Sequence, residues 1–374
     1  MTSTFELREL CAQKLLASAD LASQRTAFVG LDGFVDEIVH VVETRENAQT
    51  YQRMSTIARF AERMAEAAGR STNVEVVNQL TKLGGNGPIM ANALASFGLK
   101  VTYLGNLGYP HLHPVFDDFA RRAEVHSIAE PGHTDALEFE DGKIMLGKHS
   151  SLKDINWANI QARFGREKFA AKFETNDLIA LVNWTMVPYM SDLWEALQRE
   201  LCPNLKGPRR KMFFDLCDPA KRTHADIIRA VELIVRFEQH FDVILGLNET
   251  EAREIADVLG MAGKGHSAEA LSALARELRT KLPIHTIVIH PVSYALAASG
   301  DCVDVVKGPY VSKPKITTGA GDHFNAGFCL GQLLGLENTL CLLTGVTTSG
   351  YYVRTAKSPS IPQLVELLRK WPGK

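Results

Sequence analysis

The chain has 374 residues, of which 45% are hydrophobic and 22% charged, enough apolar material for a large buried core. Its 41 basic and 43 acidic side chains give a net charge of −2, so the charge balance does not indicate nucleic acid or an anionic membrane as a partner. Six scattered cysteines without a CxxC pair, acids near the N-terminus and the lack of a membrane-length apolar run predict a soluble cytoplasmic protein.

Taken in order, the chain begins with a segment that predicts a leading helix from about Phe5 to Arg25. Apolar side chains recur there at helical spacing and form one stripe: Leu7, Leu10, Cys11, Leu15 and Leu16. We treat residues 1–25 as a helical extension that packs on the body of the protein, with an interface as a further possibility.

An apolar strand, Ala27–Leu31, follows and leads into two acids, Asp32 and Asp36. Each carboxylate can accept two hydroxyl hydrogen bonds, which is the chemistry that binding a sugar requires. The Asp-Gly pair that Asp32 begins is also a turn signal, so a structural role for this acid stays open. Alternating apolar residues from Ile38 to Val42 predict a second extended segment.

A glycine-rich stretch then runs Gly84-Gly85-Asn86-Gly87-Pro88. Glycine before it, proline near the first turn and Gly98 after it predict a helix from about Pro88 to Phe97. The glycines let a ligand approach the backbone closely, although a plain loop between helices has the same composition. Lys100–Gly105 predicts the next strand.

The segment Thr134–Leu146 interrupts the strand–helix alternation of the rest of the chain. Asp141-Gly142 is a strong hairpin turn between two alternating arms. We therefore predict a small separate sheet that stands off the main body.

Beyond the hairpin, short apolar strands alternate with helices, a pattern typical of a parallel sheet covered on both faces. The strands are Leu178–Val182, Met212–Asp215, Val243–Leu247 and Thr286–Ile289, and the helices include Ile227–Phe241 and Ala268–Leu282. Ligands bind such sheets at the carboxyl ends of the strands. Polar residues fall at these ends, where helix capping is the alternative role: Asn183, Asp215, Asn248 and His290.

Asn248 and Glu251 permit two interpretations. Asn248 closes a strand and Glu251 lies about one turn into the next helix, so both can face one cleft. In that cleft Asn248 would bond a phosphate or water, and Glu251 would hold magnesium-bound water. The spacing fits a helix capping box equally well, and spacing alone does not choose.

The stretch Thr317–Phe324 follows an extended segment with Tyr310 and Val311, and it opens an apolar run that predicts a buried helix. Small residues before a helix let N–H groups point outward, where the helix dipole favours an anion. Asp322 would repel a bound phosphate, which makes sense if it takes a proton from the attacking hydroxyl. A glycine-rich turn with Asp322 as N-cap is the alternative.

Together these motifs resemble the ribokinase-like (PfkB) carbohydrate kinase family from about Ala27 onward. The Gly319-Ala320-Gly321-Asp322 segment is the most specific match, followed by Asn248 with Glu251, the Gly84-Gly85 pair and the tail Ser358-Pro359-Ser360-Ile361-Pro362. The resemblance implies an α/β fold, a three-layer sandwich with a mainly parallel central sheet and a small β lid. It implies a kinase domain at residues 26–374, with lid strands near 34–45 and 134–147.

The resemblance also implies a role for each matching residue. Asp322 would be the general base, and the backbone amides of Gly319, Ala320 and Gly321 would form the anion hole. Asn248, Glu251 and Thr318 would contact ATP, Glu251 would hold Mg²⁺ through water, and Asp32, Asp36, Gly85 and Asn86 would contact the sugar. The implied enzyme transfers the γ-phosphate of ATP to a hydroxymethyl group of a sugar or polyol, with a homodimer through the lid as a possible assembly.

Three positions depart from the family pattern. Ile316 stands where relatives carry an Asp that helps to bind a monovalent cation, so dependence on such a cation is doubtful. Ile89 replaces an expected Asn, and the turn Ile289–Tyr294 lacks the pattern Thr-x-Gly-x-x-Gly. A nucleoside kinase, an ADP-dependent sugar kinase and a non-catalytic sugar-binding or regulatory relative remain alternatives. Asp322 argues against the last, because a pure binder gains nothing from an acid that faces phosphate.

Overall fold

A computed structural model of the chain describes residues 4–261 and 265–371. Its α-helices are α1 Thr4–Ala17, α2 Ala19–Gln24, α3 Ile57–Glu66, α4 Asn86–Ser96, α5 Asp117–Ala120, α6 Trp157–Arg163, α7 Arg166–Thr175, α8 Met190–Glu200, α9 His224–Phe237, α10 Glu249–Val258, α11 Ala268–Lys281, α12 Ala320–Leu333, α13 Asn338–Thr355 and α14 Ile361–Arg369. Its strands are β1 Thr26–Leu31, β2 Phe34–Arg45, β3 Tyr51–Arg53, β4 Val76–Gly84, β5 Lys100–Gly105, β6 Glu124–Ser127, β7 Gly132–Glu138, β8 Lys143–Lys148, β9 Leu178–Val182, β10 Arg210–Asp215, β11 Phe241–Leu247, β12 Thr286–Ile289, β13 Tyr294–Ser299 and β14 Cys302–Lys307.

The central sheet has nine strands in the order β14-β13-β12-β11-β10-β9-β1-β5-β6. All neighbours from β12 to β6 are parallel, and β13 and β14 add an antiparallel edge. Alternation along each strand sends adjacent apolar residues to opposite faces. Phe28 and Phe214 belong to one core cluster, whereas Val29 and Phe213 belong to the other.

Helices cover both faces of this sheet, which is why its strands are apolar on both sides. The helices α6 to α11 bury their apolar sides in the first core, and α1, α2, α4 and α12 to α14 bury theirs in the second. The predicted three-layer α/β sandwich with a mainly parallel sheet is therefore confirmed.

The predicted hairpin forms part of a separate five-stranded sheet, which we call the lid. Strand β2 lies between antiparallel β4 and parallel β7, and Leu137 of β7 pairs with Ile144 of β8. One face of the lid is covered by α3, where Val39, Met54 and Phe139 form a small core with Phe60. Helix α3 thus supports the lid on this face.

The leading segment contains two helices, α1 and α2, rather than one. Cys11 and Leu15 of α1 are buried, and the thiol of Cys11 donates to the Leu340 carbonyl at 3.7 Å. The predicted stripe was wrong for Leu10 and Leu16, which are 41% and 44% exposed. Each lies about 100° around the helix from a buried neighbour, so the packed face is narrower than the apolar stripe.

One other boundary differs from the prediction. Helix α9 ends at Phe237, because Phe241 instead pairs with Arg210 at the start of β11. Tyr310 and Val311, in the segment predicted as extended, follow the end of β14 at Lys307 and belong to neither a strand nor a helix. Across residues 4–261 and 265–371, none of the helices combines the length and apolar character needed to cross a membrane.

Candidate active site

Polar residues from five parallel strands meet at one edge of the central sheet. They follow or close β1, β9, β10, β11 and β12 in turn: Asp32, Asn183, Asp215, Asn248 and His290. Carboxyl ends of parallel strands share an edge, so residues far apart in the chain become neighbours. The first turns of α4 and α12 lie at the same edge, and both supply side chains to it.

Asp32 anchors the beginning of α4. Its Oδ2 accepts the Asn86 amide at 2.9 Å and the Asn183 side-chain amide at 2.6 Å, and its Oδ1 accepts the Gly87 amide at 2.8 Å. Gly85 has φ +94°, and a Cβ there would lie 2.9 Å from Oδ2, so a side chain would not fit. Asp32 exposes none of its surface, and burial raises its pKa to about 6 against the effect of these hydrogen bonds.

Asp322 occupies the first turn of α12 and is bound to the same α4 terminus. The Asn86 side-chain amide donates to its Oδ1 at 2.9 Å. Burial raises the pKa of Asp322 to about 8, and the charge of Asp32 acts in the same direction, while the Asn86 bond opposes it. Asp322 therefore takes up a proton more readily than an ordinary carboxylate, which is a property of a general base.

The turn before α12 presents backbone amides beside Asp322. Gly319 has φ +93°, a left-handed conformation that favours glycine. The Ala320 amide donates to the Thr317 carbonyl at 3.1 Å. Within the described part of the chain, the Gly319 and Gly321 amides have no such backbone acceptor. An anion at this helix terminus would thus find two unsatisfied donors of the predicted three.

Asn248 and Glu251 form the capping box. The Asn248 side chain accepts the Glu251 amide at 2.9 Å, and Glu251 accepts the Asn248 amide at 2.8 Å. The second oxygen of Glu251 accepts the Asp218 amide at 2.9 Å. Burial raises the pKa of Glu251. The structural interpretation of this pair is confirmed, and both residues also line the cleft beside Asp322.

Three buried carboxylates surround this cleft: Asp215, Glu251 and Asp322. Burial and the charges of the other two raise the pKa of Asp215. Asn325 donates to one oxygen of Asp215 at 2.8 Å. A cluster of carboxylate oxygens with unrelieved repulsion suits a hard divalent cation. Among the described residues no His, Cys, Asp or Glu set encloses a metal by itself, and magnesium usually completes its shell with water and phosphate.

The lid contributes Asp36 and Lys82 to the same region. They pair across β2 and β4, and Thr134 of β7 pairs with Asp36 on its other side. Burial raises the pKa of Asp36, against the positive charge of Lys82 and a hydrogen bond with Thr134. Burial lowers the pKa of Lys82, and the charges of Asp36 and Asp322 oppose that change. We did not single out Lys82 from the sequence. It lies two residues before Gly84 and therefore on the same face of the strand, which was the available signal.

An apolar cavity of about 360 Å³ adjoins residues 317–321, which we call the glycine turn. His290 lines both this cavity and the carboxylate cleft. Its ring lies 4.7 Å from that of Phe324, and burial lowers the pKa of His290 to about 4. The cavity wall includes Pro291, Val292, Gly308, Pro309, Tyr310, Val346, Ser349, Gly350 and Val353. Its size and apolar lining suit a nucleobase. Thr317, rather than Thr318, lines it.

Comparison with known proteins places these features in a family. The family model described as prokaryotic ketohexokinase matches residues 3–371. A ketohexokinase from Haloferax volcanii is 29% identical over 364 residues, which cover 97% of this chain and 95% of that protein.

Solved structures show the same fold at lower identity. A carbohydrate kinase from Agrobacterium tumefaciens has a TM-score of 0.62 at 18% identity, over 93% of this chain and 98% of that one. A ribokinase from Cryptococcus neoformans, solved in complex with ADP, has a TM-score of 0.59 at 18% identity, over 91% and 98%. Both similarities extend over nearly the whole chain.

Proposed function

The chain belongs to the prokaryotic ketohexokinase family and is an ATP-dependent carbohydrate kinase, and from this premise we propose that its acceptor is a ketohexose. The reaction transfers the γ-phosphate of ATP to a hydroxymethyl group of that sugar. The family match over residues 3–371 carries the choice of a ketohexose, and the Asn86–Asp322 hydrogen bond supports the transfer itself, because it joins the helix beside the proposed sugar pocket to the proposed base.

In the proposed mechanism Asp322 accepts the proton of the attacking hydroxyl. The sugar oxygen then forms a bond to the γ-phosphorus, the bond to the bridging oxygen breaks, and ADP leaves. The raised pKa of Asp322 supports this role, because proton uptake by a buried carboxylate is favourable. The Gly319 and Gly321 amides would stabilise the charge on the transferred group, and Ala320 would join them if its bond to Thr317 opened.

The carboxylate cleft supports Mg²⁺ as cofactor. Glu251 would hold magnesium-bound water, and Asp215 would face the same ion from the end of β10. Bound Mg²⁺ supplies charge neutralisation for the phosphates. Asn248 and the cavity beside His290 would receive the nucleotide.

We propose that catalysis does not depend on a monovalent cation. Ile316 stands at the position where the resemblance implies a cation-binding Asp, and an isoleucine side chain has no ligand atom for potassium. The rate in potassium and in choline chloride at equal ionic strength should agree within about twofold. A potassium requirement would contradict this proposal.

The sugar pocket would lie between α4 and the lid. Asp36, Gly85 and Asn86 would face this space. Asp32 keeps one lone pair of Oδ1 free of these bonds, but it exposes no surface, so its contact with the sugar would require α4 or the lid to move. Ile89 replaces a polar residue at this wall, and it is buried against Gly319.

The six cysteines are free thiols, which supports a reducing cytoplasmic location.

The lid also supports a homodimer. Leu80, Ile38, Ala136 and Met145 pair in one row across the sheet, on the face that carries Asp36. Leu80 and Met145 are 55% and 45% exposed. A second copy would cover this row, and Leu80→Asp should then convert a dimer to a monomer in light scattering. A wild-type monomer at micromolar concentration would contradict the assembly.

An acceptor panel tests the proposed function. Ketohexoses, aldohexoses, pentoses, polyols and nucleosides are each incubated with ATP and with ADP, and product sugar phosphate is quantified. We expect kcat/KM for a ketohexose to exceed that for an aldohexose by at least about tenfold, because one misplaced hydroxyl leaves buried polar groups unpaired. Preference for a nucleoside, or for ADP as donor, would overturn the assignment.

A further inference from the structure

His323 lies directly after the proposed base and is 2% exposed, yet the mechanism above does not use it. Its Nδ1 lies 2.7 Å from the Gly319 carbonyl oxygen, and its Nε2 lies 2.9 Å from the Ser358 hydroxyl. The ring stacks on Tyr352 at a centroid distance of 3.7 Å and an interplanar angle of 13°. Ser358 belongs to the tail motif that the sequence singled out and that the proposed function leaves without a role.

These contacts require one tautomer of the imidazole. The Gly319 carbonyl can only accept, so Nδ1 must carry the hydrogen and Nε2 must accept from Ser358. The Asn92 side-chain amide donates to the same hydroxyl at 3.2 Å. Hydrogen bonds therefore run in one direction, from Asn92 through Ser358 and His323 to Gly319. Burial lowers the pKa of His323 to about 4, which keeps the ring neutral.

The bonds end at the peptide groups of the glycine turn. The Gly319 carbonyl accepts both from the His323 ring and from the His323 amide, the latter at 3.1 Å. The preceding carbonyl, that of Thr318, accepts the Tyr352 hydroxyl at 2.9 Å. A peptide unit is planar, so fixing the Thr318 carbonyl fixes the Gly319 N–H, and fixing the Gly319 carbonyl fixes the Ala320 N–H.

We propose that His323 is a positioning residue for the anion hole: it fixes the peptide unit between Gly319 and Ala320 at the Gly319 carbonyl, and by stacking on Tyr352 it supports the bond to Thr318 that orients the Gly319 amide. We further propose that it links this turn to α4 through Ser358 and Asn92. Helix α4 begins at Asn86, which holds Asp322. Helix α4 would thus hold the proposed base through Asn86, its first residue, and the turn of the anion hole through Asn92. This inference rests on the proposed phosphoryl transfer and adds how its donors are oriented.

Two substitutions of His323 separate orientation from simple packing. In His323→Asn the amide nitrogen superposes on Nδ1 and keeps the donor to Gly319, whereas in His323→Gln it superposes on Nε2 and loses that donor. We expect His323→Gln and His323→Ala to lower kcat by roughly 10–100-fold, with KM for sugar changed by less than about threefold. His323→Asn keeps the donor to Gly319 but loses the acceptor for Ser358, so its kcat should lie between that of His323→Gln and that of wild type.

A matched control uses another bond between the same segments. The Ser96 hydroxyl of α4 donates to the Pro359 carbonyl at 2.7 Å but has no contact with the glycine turn. Ser96→Ala should keep kcat within about twofold of wild type, whereas Ser358→Ala should lower it, because Nε2 then loses its donor. Thermal melts of each variant confirm that the measured protein is folded.

The outcomes distinguish this inference from the proposed function. If wild type phosphorylates no acceptor, the proposed function fails before any variant is compared. If wild type is active and the Asn and Gln variants have equal kcat, the positioning role is wrong. Loss confined to KM, or unchanged kcat in Ser358→Ala with folded protein, would overturn it as well.

Discussion

The side-chain amide of Asn86 donates a 2.9 Å hydrogen bond to Asp322, although 236 positions separate the two residues in the chain. Asn86 begins α4 and Asp322 lies in the first turn of α12. The backbone amide of the same Asn86 is held by Asp32 at the end of β1. A single asparagine therefore connects both acids, and the distance between the proposed base and the proposed sugar pocket depends on α4.

Replacement of Asp322, the proposed base, gives the most direct test of the proposed mechanism. Asp322→Asn keeps the shape of the side chain but cannot take up the hydroxyl proton. We expect kcat to fall by roughly 10²–10⁴, with nucleotide affinity largely retained. Asp20→Asn, an exposed acid in the first turn of α2, serves as the control and should leave kcat unchanged. Near-normal turnover of Asp322→Asn would remove Asp322 from the base role.

The pH dependence of activity should follow the protonation of Asp322. Only the ionised carboxylate accepts a proton, and its pKa is raised to about 8, so kcat/KM should rise with pH through this region. The Asn86 bond lowers the pKa of Asp322, so Asn86→Ala should move the midpoint to higher pH. Rate profiles with both substrates subsaturating measure this shift. A flat profile between pH 6 and 9 would contradict the assignment.

Ionisation of the buried Asp322 should also lower the free energy of unfolding as the pH rises. The unfolded carboxyl loses its proton near its ordinary pKa of 3.8, whereas the folded one keeps it up to about 8. At Asp322 the folded state therefore binds more protons between these values, so the contribution of this residue to stability falls with rising pH. Asp322→Asn removes this effect, so the Tm of the variant minus the Tm of wild type should increase from pH 5 to 8. A difference independent of pH would show that the pKa of Asp322 is not raised.

Asp32 is a test of whether a structural acid also contacts sugar. Asp32→Ala leaves three donors without their acceptor, which should lower the free energy of unfolding by about 1–3 kcal/mol. If Asp32 also binds the sugar, KM for the acceptor should rise by about tenfold or more, because one hydrogen bond to a charged group is lost. This KM is measured at temperatures where the variant is folded. Denaturant titration and kinetics are measured together. An unchanged KM would assign Asp32 to the anchoring of α4 alone.

Glu251 can be compared with a second capping box in the same protein. Gln363 caps α14 through Ser360 in the same manner, and neither residue is among those that line the cleft. Gln363→Ala should cost about 1 kcal/mol of stability without changing the magnesium dependence of the rate. Glu251→Gln should raise the magnesium concentration for half-maximal rate by roughly tenfold, since a charged partner of bound water is lost. Equal magnesium curves for Glu251→Gln and wild type would leave Glu251 with the cap alone.

Several features of the fold and of the site followed from local patterns. The alternation of apolar strands and helices predicted the parallel sheet, and Asp141-Gly142 predicted the lid hairpin, because both depend on residues close in the chain. Asp322 could be singled out because its chemistry and the glycine turn are contiguous. The same reasoning failed for Leu10 and Leu16, where a periodic stripe does not show how wide the packed face is.

By itself, then, the sequence determined the fold class, the lid hairpin and the resemblance of its motifs to a carbohydrate kinase family. Only the tertiary structure decided which strand-end residues meet, that Asn86 holds Asp322, that Lys82 faces Asp36, and that Ser358 reaches Gly319 through His323. These contacts join residues tens to hundreds of positions apart. Their partners are selected by how helices and strands pack, and no local spacing in the chain records that choice.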